Sequence, residues 1–186
     1  MPKLARRAVF LDRDGVLNRA LVRAGKPYAP RAMRDFRLLP GAAEAVRRLK
    51  AAGFLAIVVT NQPDIGNGLL DAQSVAAMHA RLRARIPVDA VLVCPHAQSA
   101  GCVCRKPKPG LLLRAARRWR IDLKNSYFVG DRWNDIVAGK RAGVYVIHLD
   151  RGYAETLVEK PDSTAKSLRQ AVELVLRRQA ASFEGA

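Results

Sequence analysis

The feature of this sequence that most restricts its fold is the regular alternation of short apolar runs with helical segments. The run from Phe54 to Thr60 is almost entirely apolar, as expected of a strand that is covered on both faces of a parallel sheet. A helical pattern follows it, and the same order of strand and helix recurs along the chain. This alternation predicts an α/β fold, a Rossmann-like doubly wound parallel sheet with right-handed crossovers.

The bounds of the predicted elements follow from their start and stop signals. The predicted strands are 7–11, 54–60, 89–93, 126–130 and 144–149, and the predicted helices are 40–52, 71–86, 109–120, 134–142 and 168–178. Residues 18–39 are predicted to form a long irregular loop, which in a compact domain is usually functional. We expect one domain over residues 1–186, with an ordered core of 7–178 and a frayed tail at 179–186.

The composition is that of a globular protein with a strongly basic balance. Apolar residues make up 49% of the 186 residues and charged residues 26%, and the formal net charge is +17. Such a charge favours anionic partners, which include phosphorylated metabolites, nucleic acid and anionic lipid surfaces. Many of the arginines lie on predicted helices, where they more often make solvated faces. No apolar run is long enough to span a bilayer and no signal-peptide core follows the first residues, so we expect a cytoplasmic protein.

Two carboxylates, Asp12 and Asp14, follow the first predicted strand and precede Gly15. Ligands of open α/β sheets bind just past the carboxyl ends of the strands, so these two acids would lie at the rim of the sheet. One of them can attack as a nucleophile or hold a metal, while the other serves as general acid and base. The alternative interpretation is a strand that ends in a solvated Asp-Gly turn.

Polar side chains follow the other predicted strands as well. At or just after the ends of these strands lie Thr60, Asn61, Gln62, Cys94, His96, Asp131 and Asp135. A basic turn adds Arg105 and Lys106. Asp131 can join Asp12 and a backbone carbonyl in an oxygen-only site of the kind that magnesium prefers. Thr60 can hydrogen-bond a phosphate oxygen. Lys106 can supply the fixed positive charge that a phosphoryl group and an attacking aspartate require.

The three cysteines of the chain lie close together with one histidine, in the pattern Cys94-x-His96-x5-Cys102-x-Cys104. Three thiolates and one imidazole can close tetrahedrally on zinc and leave no position for substrate or water, which predicts a structural site. Such a site would staple the loop that carries Arg105 and Lys106. The alternatives are a disulfide, which the cytoplasm disfavours, or unrelated buried thiols. The other histidines, His79 and His148, have no companions at ligand spacing, so packing or surface roles are expected for them.

Four motifs in order resemble those of the haloacid dehalogenase superfamily of phosphatases. They are Asp12-x-Asp14-Gly15-Val16 after a strand, Thr60 at the end of the second, Lys106 before a helix, and Gly130-Asp131-x-x-x-Asp135 after the fourth. The resemblance implies that Asp12 forms an aspartyl-phosphate and that Asp14 protonates the leaving oxygen and later activates water. Thr60 and Lys106 would bind the phosphate. Asp131 would complete a magnesium site with Asp12 and the carbonyl of Asp14.

The resemblance leaves two roles open for Asp135. It would lie beside the magnesium and contact it through water, or its charge would complement the N-terminus of the following helix.

The zinc motif and the run Cys-Arg-Lys-Pro-Lys-Pro-Gly resemble one branch of that superfamily, which contains heptose bisphosphate phosphatases and histidinol-phosphate phosphatases. Enzymes of this branch lack a large cap domain, and here the segments 18–39 and 61–69 and the zinc loop would wall the pocket. Arg105 would bind the second phosphate of a bisphosphate, or else the backbone of the zinc loop. Asn61 and Gln62 would contact sugar hydroxyls.

The favoured substrate is a heptose bisphosphate, and histidinol phosphate is the alternative. The segment Ile65-Gly66-Asn67-Gly68 departs from the Ile-Ala-Arg-Gly expected of the heptose enzymes. Two further alternatives are a polynucleotide 3′-phosphatase and a zinc-stabilised nucleic-acid binding module, although the chain has few aromatic residues for stacking bases. We expect a monomer that acts on a small anionic substrate and binds neither membranes nor, despite its charge, nucleic acid.

Overall fold

The protein is described from a computed structural model, which covers residues 5–184. The strands are β1 (Ala8–Leu11), β2 (Leu21–Arg23), β3 (Lys26–Tyr28), β4 (Leu55–Asn61), β5 (Ala90–Cys94), β6 (Tyr127–Gly130), β7 (Tyr145–Leu149) and β8 (Ser163–Ala165). The helices are α1 (Ala42–Ala51), α2 (Pro63–Gly66), α3 (Ala72–Arg85), α4 (Gly110–Trp119), α5 (Trp133–Ala142) and α6 (Leu168–Glu184), and one 3₁₀ turn spans Gln98–Ala100.

Six of these strands form one parallel sheet in the order β5-β4-β1-β6-β7-β8. The sheet confirms the predicted doubly wound α/β architecture. Alternate residues of β1 enter two separate apolar cores: Val9 and Leu11 belong to one, and Ala8 and Phe10 to the other. Because successive side chains of a strand point to opposite faces, the sheet is covered on both sides.

The central position of β1 brings three strand ends together. Leu11 pairs with Val58 of β4 on one side and with Val129 of β6 on the other. The chain leaves β1 at Asp12, whose backbone N–H still donates to the carbonyl of Val129 at 3.0 Å. The residues that follow β1, β4 and β6 therefore meet at one edge of the sheet.

The predicted irregular loop 18–39 contains a β-hairpin formed by β2 and β3. Its two-residue turn, Ala24-Gly25, has positive φ at both positions, 48° and 72°, which matches the right-handed twist of paired strands. An Ala-Gly pair is a weak hairpin signal and Pro27 argues against a strand, so sequence patterns missed it. Across the described residues between β1 and α1 this hairpin is the only regular structure, and it is no inserted cap domain.

Three other elements depart from prediction. The short helix α2 and the edge strand β8 were not predicted, and α6 continues to Glu184 instead of ending at Arg178. Ala180 and Ala181, within this extension, are strong helix formers. The predicted fraying of the tail stays a prediction, and residues 185 and 186 lie outside the described part. None of the helices within residues 5–184 has the length and apolar character that crossing a bilayer requires.

Candidate active site

A cavity of about 440 Å³ lies over the carboxyl ends of the central strands. Asp12, Asp14, Asn61, Arg105 and Lys106 line it, as predicted from the strand ends. The hairpin, α2 and the start of α5 supply the remaining walls. Placement at this edge of the sheet agrees with the general rule for ligand sites in open α/β sheets.

Lys106 lies at the centre of the site and is almost fully buried, with 2% of its surface exposed. Its Nζ lies 2.8 Å from Oδ1 of Asp12 and 2.6 Å from Oδ1 of Asp135, and it donates to the carbonyl of Val59 at 2.9 Å. Burial alone would lower the pKa of Lys106, but the two carboxylates outweigh it and hold the pKa at about 12. The side chain is therefore a fixed cation between two acids.

Three carboxylates, those of Asp12, Asp131 and Asp135, converge beside this lysine. Their oxygens lie within 4.8 Å of one another, close enough to share a metal ion. Burial raises the pKa of Asp12 to about 7 against the opposing effect of Lys106, and burial followed by the charges of Asp12 and Asp135 raises that of Asp131. The Tyr153 hydroxyl approaches Asp131, yet neither carboxylate oxygen has a well-formed hydrogen bond within residues 5–184. A hard cation would neutralise the negative charge of a buried carboxylate that lies among other acids and lacks hydrogen-bond partners.

Asp135 contacts both Lys106 and the start of α5. Its Oδ1 faces Lys106, and its Oδ2 accepts from the backbone N–H of Arg132 at 3.1 Å, which caps α5. The residue is fully buried. It therefore connects the start of α5 to the charge cluster.

The carboxylate of Asp14 points away from the other three acids. It accepts from Arg13, Asn18 and Gln62, with all of these contacts between 2.8 and 3.1 Å. The Asp14 side chain is not among the carboxylates that lie close enough together to share an ion. The side chain stays at the pocket wall, as a general acid and base requires.

The residues after β4 are more buried than the sequence suggests. Gln62 is 1% exposed, and its amide nitrogen donates to Oγ1 of Thr60 at 2.8 Å and to Oδ2 of Asp14 at 2.9 Å. The side chain therefore bridges two other site residues below the pocket surface, and its predicted contact with sugar hydroxyls stays a prediction.

Asn61 lines the pocket, but its amide pairs with the backbone of another site residue. Its Nδ2 donates to the carbonyl of Lys106, and its Oδ1 accepts from the Lys106 N–H, both at 3.1 Å. This double contact fixes the lysine to the end of β4. One hydrogen bond engages each of the two amide atoms, and the predicted contact of Asn61 with sugar hydroxyls stays a prediction.

The side chains of Cys94, His96, Cys102 and Cys104 form a second cluster that is able to hold a metal. The sulfur–sulfur distances are 3.3–3.6 Å, and Nδ1 of His96 lies 3.2 Å from the Cys104 sulfur and 3.6 Å from the Cys94 sulfur. A zinc ion with sulfur ligands at about 2.3 Å would separate them by about 3.8 Å. The four atoms are thus close to the corners of a zinc tetrahedron.

Two glycines let the chain pack against this cysteine loop. A Cβ on Gly66 would lie 2.3 Å from the backbone nitrogen of Ala97, and one on Gly110 would lie 2.2 Å from the carbonyl oxygen of Val103. Lys108 also donates to the carbonyls of Gly101 and Cys102. The loop that carries Arg105 and Lys106 is therefore held from both sides.

Two ion pairs cross the pocket wall, and sequence patterns predicted neither. Arg31 of the segment before α1 donates to Asp64 of α2 at 2.6 Å, and Nε of Arg132 donates to Glu155 at 3.0 Å. Their partners are 33 and 23 residues apart in the chain, so no local spacing could reveal them. The contact between Arg13 and His79, which are 66 residues apart, was missed for the same reason.

Comparison with known proteins identifies relatives of this chain. A family model described as haloacid dehalogenase-like hydrolase matches residues 18–143. The D-glycero-beta-D-manno-heptose-1,7-bisphosphate 7-phosphatase of Pseudomonas putida is 36% identical over 166 residues, which cover 84% of this chain and 90% of that protein. The D-glycero-alpha-D-manno-heptose-1,7-bisphosphate 7-phosphatase of Mycobacterium bovis is 46% identical over 134 residues, with coverages of 69% and 68%.

The fold has a match among solved structures as well. The crystal structure of D,D-heptose 1,7-bisphosphate phosphatase from B. bronchiseptica, complexed with magnesium and phosphate, superposes with a TM-score of 0.80 at 29% identity. The match covers 92% of this chain and 99% of that one. The range matched by the family model contains the second, third and fourth motifs, whereas Asp12 and Asp14 precede it. The chain therefore belongs to the haloacid dehalogenase-like hydrolases.

Proposed function

We propose that this protein is a magnesium-dependent phosphatase that removes the 7-phosphate of D-glycero-D-manno-heptose 1,7-bisphosphate. The observation that carries the proposal is the buried contact between Lys106 and Asp12 at the floor of the pocket. A carboxylate held by a fixed cation can attack a phosphoryl group whose negative charge that cation also offsets. The proposed substrate is taken from the relatives of this chain, which are named as heptose bisphosphate phosphatases.

The reaction proceeds in two displacements at phosphorus. A carboxylate oxygen of Asp12 attacks, and the bond to the sugar oxygen breaks as that oxygen takes a proton from Asp14. Asp14 then removes a proton from a water molecule, which attacks the aspartyl-phosphate and releases phosphate with Asp12 restored. Thr60 and Lys106 hold the phosphoryl oxygens through both steps. Magnesium, held by Asp12, Asp131 and the carbonyl of Asp14 with Asp135 adjacent, would offset charge on the phosphoryl group.

A bisphosphate fits the charges around the pocket. Lys26 and Arg105 line it, and within residues 5–184 neither has an ion pair with an acid. We assign the second phosphate to Arg105, whose guanidinium can bind phosphate through two donors. Gly66, which differs from the expected sequence of heptose enzymes, is explained by its contact with the cysteine loop.

We further propose that Cys94, His96, Cys102 and Cys104 bind one structural zinc ion. All four protein ligands are present, so the tetrahedron is closed and leaves no open coordination position. The ion would replace an apolar core that this exposed loop lacks. Because the loop ends in Arg105 and Lys106, the ion would fix the positions of these two residues at the pocket.

A substrate panel tests this function. Purified protein with magnesium should release phosphate from heptose 1,7-bisphosphate with a kcat/KM at least about tenfold above that for histidinol phosphate or a 3′-phosphorylated oligonucleotide. Both anomers belong in the panel, because the relatives are named for both. Asp12→Asn should abolish release, and acid quenching of the native enzyme should trap phosphate on the peptide that contains Asp12.

Two outcomes would replace the proposal. A higher kcat/KM for histidinol phosphate would change the substrate within the same chemistry. No release from any ester, together with nucleic-acid binding that survives Asp12→Asn, would instead support the zinc-stabilised nucleic-acid binding module.

A further inference from the structure

Arg13 lies between the two acids of the first motif and is the largest fully buried side chain of the described residues, with 0% exposure. A guanidinium stays charged in proteins, so its complete removal from water is costly unless it is well paired. The two-displacement mechanism gives Arg13 no part. Its contacts therefore indicate what this buried charge contributes.

The partners of Arg13 come from three places in the fold. Its Nη2 donates to both oxygens of Asp14 at 2.8 Å, and its Nε donates to Oδ1 at 3.1 Å. Its Nη1 lies 3.0 Å from Nε2 of His79 on α3, and its guanidinium carbon lies 5.5 Å from the centre of the Phe36 ring. Because arginine has no acceptor, Nε2 of His79 must accept this hydrogen bond. His79 and Phe36 thus contact the guanidinium on one side, and the guanidinium binds the Asp14 carboxylate on the other.

The contacts of Asp14 are unequal at its two oxygens. Oδ1 accepts from Nε and Nη2 of Arg13 and from Asn18. Oδ2 accepts from Nη2 of Arg13 and from Gln62. Since a carboxylate oxygen has about two lone-pair sites, both oxygens are fully engaged. Oδ2 has one donor fewer than Oδ1, and it would have to release the Gln62 amide to take a proton.

We propose that Arg13 is a positioning residue that fixes the Asp14 carboxylate so that Oδ2 exchanges protons with the leaving oxygen and with water. His79 and Phe36 hold the guanidinium, and the guanidinium holds the acid. The backbone supports the same arrangement, because the carbonyl of Arg13 accepts from the N–H groups of Leu17 and Asn18 at 2.8 and 3.1 Å. This inference rests on the proposed phosphatase function, in which Asp14 is the general acid and base.

The test compares two leaving groups. An alkyl phosphate such as heptose bisphosphate needs a proton on its leaving oxygen, whereas p-nitrophenyl phosphate releases a stable anion and needs little acid assistance. Arg13→Met should lower kcat/KM about 100-fold or more for the alkyl ester but less than about tenfold for the aryl ester. Arg13→Lys should recover only part of the loss, because an ammonium group cannot bridge both oxygens and His79 together. Arg19→Met, an exposed arginine of the same segment, should change neither value.

A second pair of variants covers the case in which Arg13→Met does not fold. His79→Leu removes the acceptor for Nη1, and His79→Gln replaces it with an amide oxygen. His79→Leu should show the same unequal loss on the two esters, whereas His79→Gln should stay within about threefold of the native enzyme on both.

The results separate failure of this inference from failure of the proposed function. Equal losses on the two esters, or no loss on either, in variants that fold would overturn the role of Arg13 while the native enzyme remains a phosphatase. A native enzyme that hydrolyses neither ester would overturn the function itself.

Discussion

The Nζ atom of Lys106 lies 2.8 Å from Oδ1 of Asp12, and this contact links the pocket floor to two distant parts of the chain. The backbone of Lys106 is fixed to the end of β4 by Asn61. The residue also follows the loop on which the sulfurs of Cys102 and Cys104 lie close to that of Cys94. The contact between Lys106 and Asp12 therefore depends on how firmly that loop is held.

Replacing Lys106 by methionine should remove most of the activity and also lower the free energy of unfolding, because it leaves buried carboxylates without their partner. Three buried carboxylates would lose their fixed cation, and the transferred phosphoryl group would lose a charge that offsets its own. We expect kcat/KM for the heptose bisphosphate to fall about 100-fold or more. Lys124→Met, which removes an exposed lysine far from the pocket, is the matched control. Activity of Lys106→Met within about threefold of the native enzyme would contradict the assigned role.

The strand-end residues could be predicted from sequence because the signal is local. An apolar run identifies β1 and β4, and parallel strands necessarily end at one edge, so Asp12, Thr60 and Asp131 had to lie near one another. The cysteine cluster could be predicted in the same way, since its four donors lie within eleven residues. The structure brings the carboxylates of Asp12 and Asp131 together and gathers the four cysteine and histidine donors.

The contacts that orient those residues could not be predicted in the same way. Arg13 and His79 are 66 positions apart and meet only because α3 packs beside the end of β1. Gln62 follows a strand and has a polar side chain, which suggests a pocket residue, yet tertiary packing buries it against Thr60 and Asp14. Local patterns specify which groups reach the site, whereas side-chain packing decides which of them face the ligand.

Substituting alanine for Gly15 should disturb the acid cluster directly. A Cβ at this position would lie 1.8 Å from Oδ2 of Asp131, and φ is +85°. Because Asp131 would have to move, we expect kcat/KM to fall about 100-fold and the magnesium concentration for half-maximal activity to rise. Enzyme assays over a magnesium titration measure both effects.

Gly53 supplies the control for that substitution. Its φ is +83°, but a Cβ there would have no atom within 4 Å. Gly53→Ala therefore incurs a similar backbone cost, about 1 kcal/mol, without touching the site. If Gly53→Ala lowered activity as much as Gly15→Ala, the loss would reflect backbone strain and not displacement of Asp131.

His79 should make the stability of the protein depend on pH. Burial, and then the charge of Arg13, lower its pKa from 6.5 to about 4. Between these values the unfolded chain binds a proton that the folded chain does not, so the stabilising contribution is complete above pH 6.5 and is lost as pH falls towards 4. Between pH 7.5 and pH 5 this difference corresponds to about 2 kcal/mol in the free energy of unfolding.

Denaturant unfolding of the native protein and of His79→Gln at these two pH values measures that contribution. The variant keeps an acceptor for Arg13 but cannot titrate, so its stability should fall by about 2 kcal/mol less than that of the native protein. Other buried acids affect both proteins equally and cancel in the comparison. Equal losses in the two proteins would mean that His79 is protonated in the folded state.

Replacing Cys104 by serine should weaken the zinc site and, through it, the pocket. We expect the native protein to be purified with about one zinc per chain and the variant with well under one. Hydrogen exchange should accelerate in the segment from Pro95 to Lys108, and the melting temperature should fall by several degrees. Elemental analysis, hydrogen exchange and thermal unfolding measure the three effects.

The kinetic consequence distinguishes a structural zinc from a catalytic one. A loosened loop would misplace Lys106 and Arg105, so Cys104→Ser should lower activity in proportion to the fraction of chains with an ordered loop. Added magnesium would not restore it, because the acid cluster is intact. Ser99→Ala, in the exposed 3₁₀ turn of the same loop, should retain both zinc and activity. Native protein that lacks zinc and has full activity would show that packing against Gly66 and Gly110, together with Lys108, is sufficient to hold the loop.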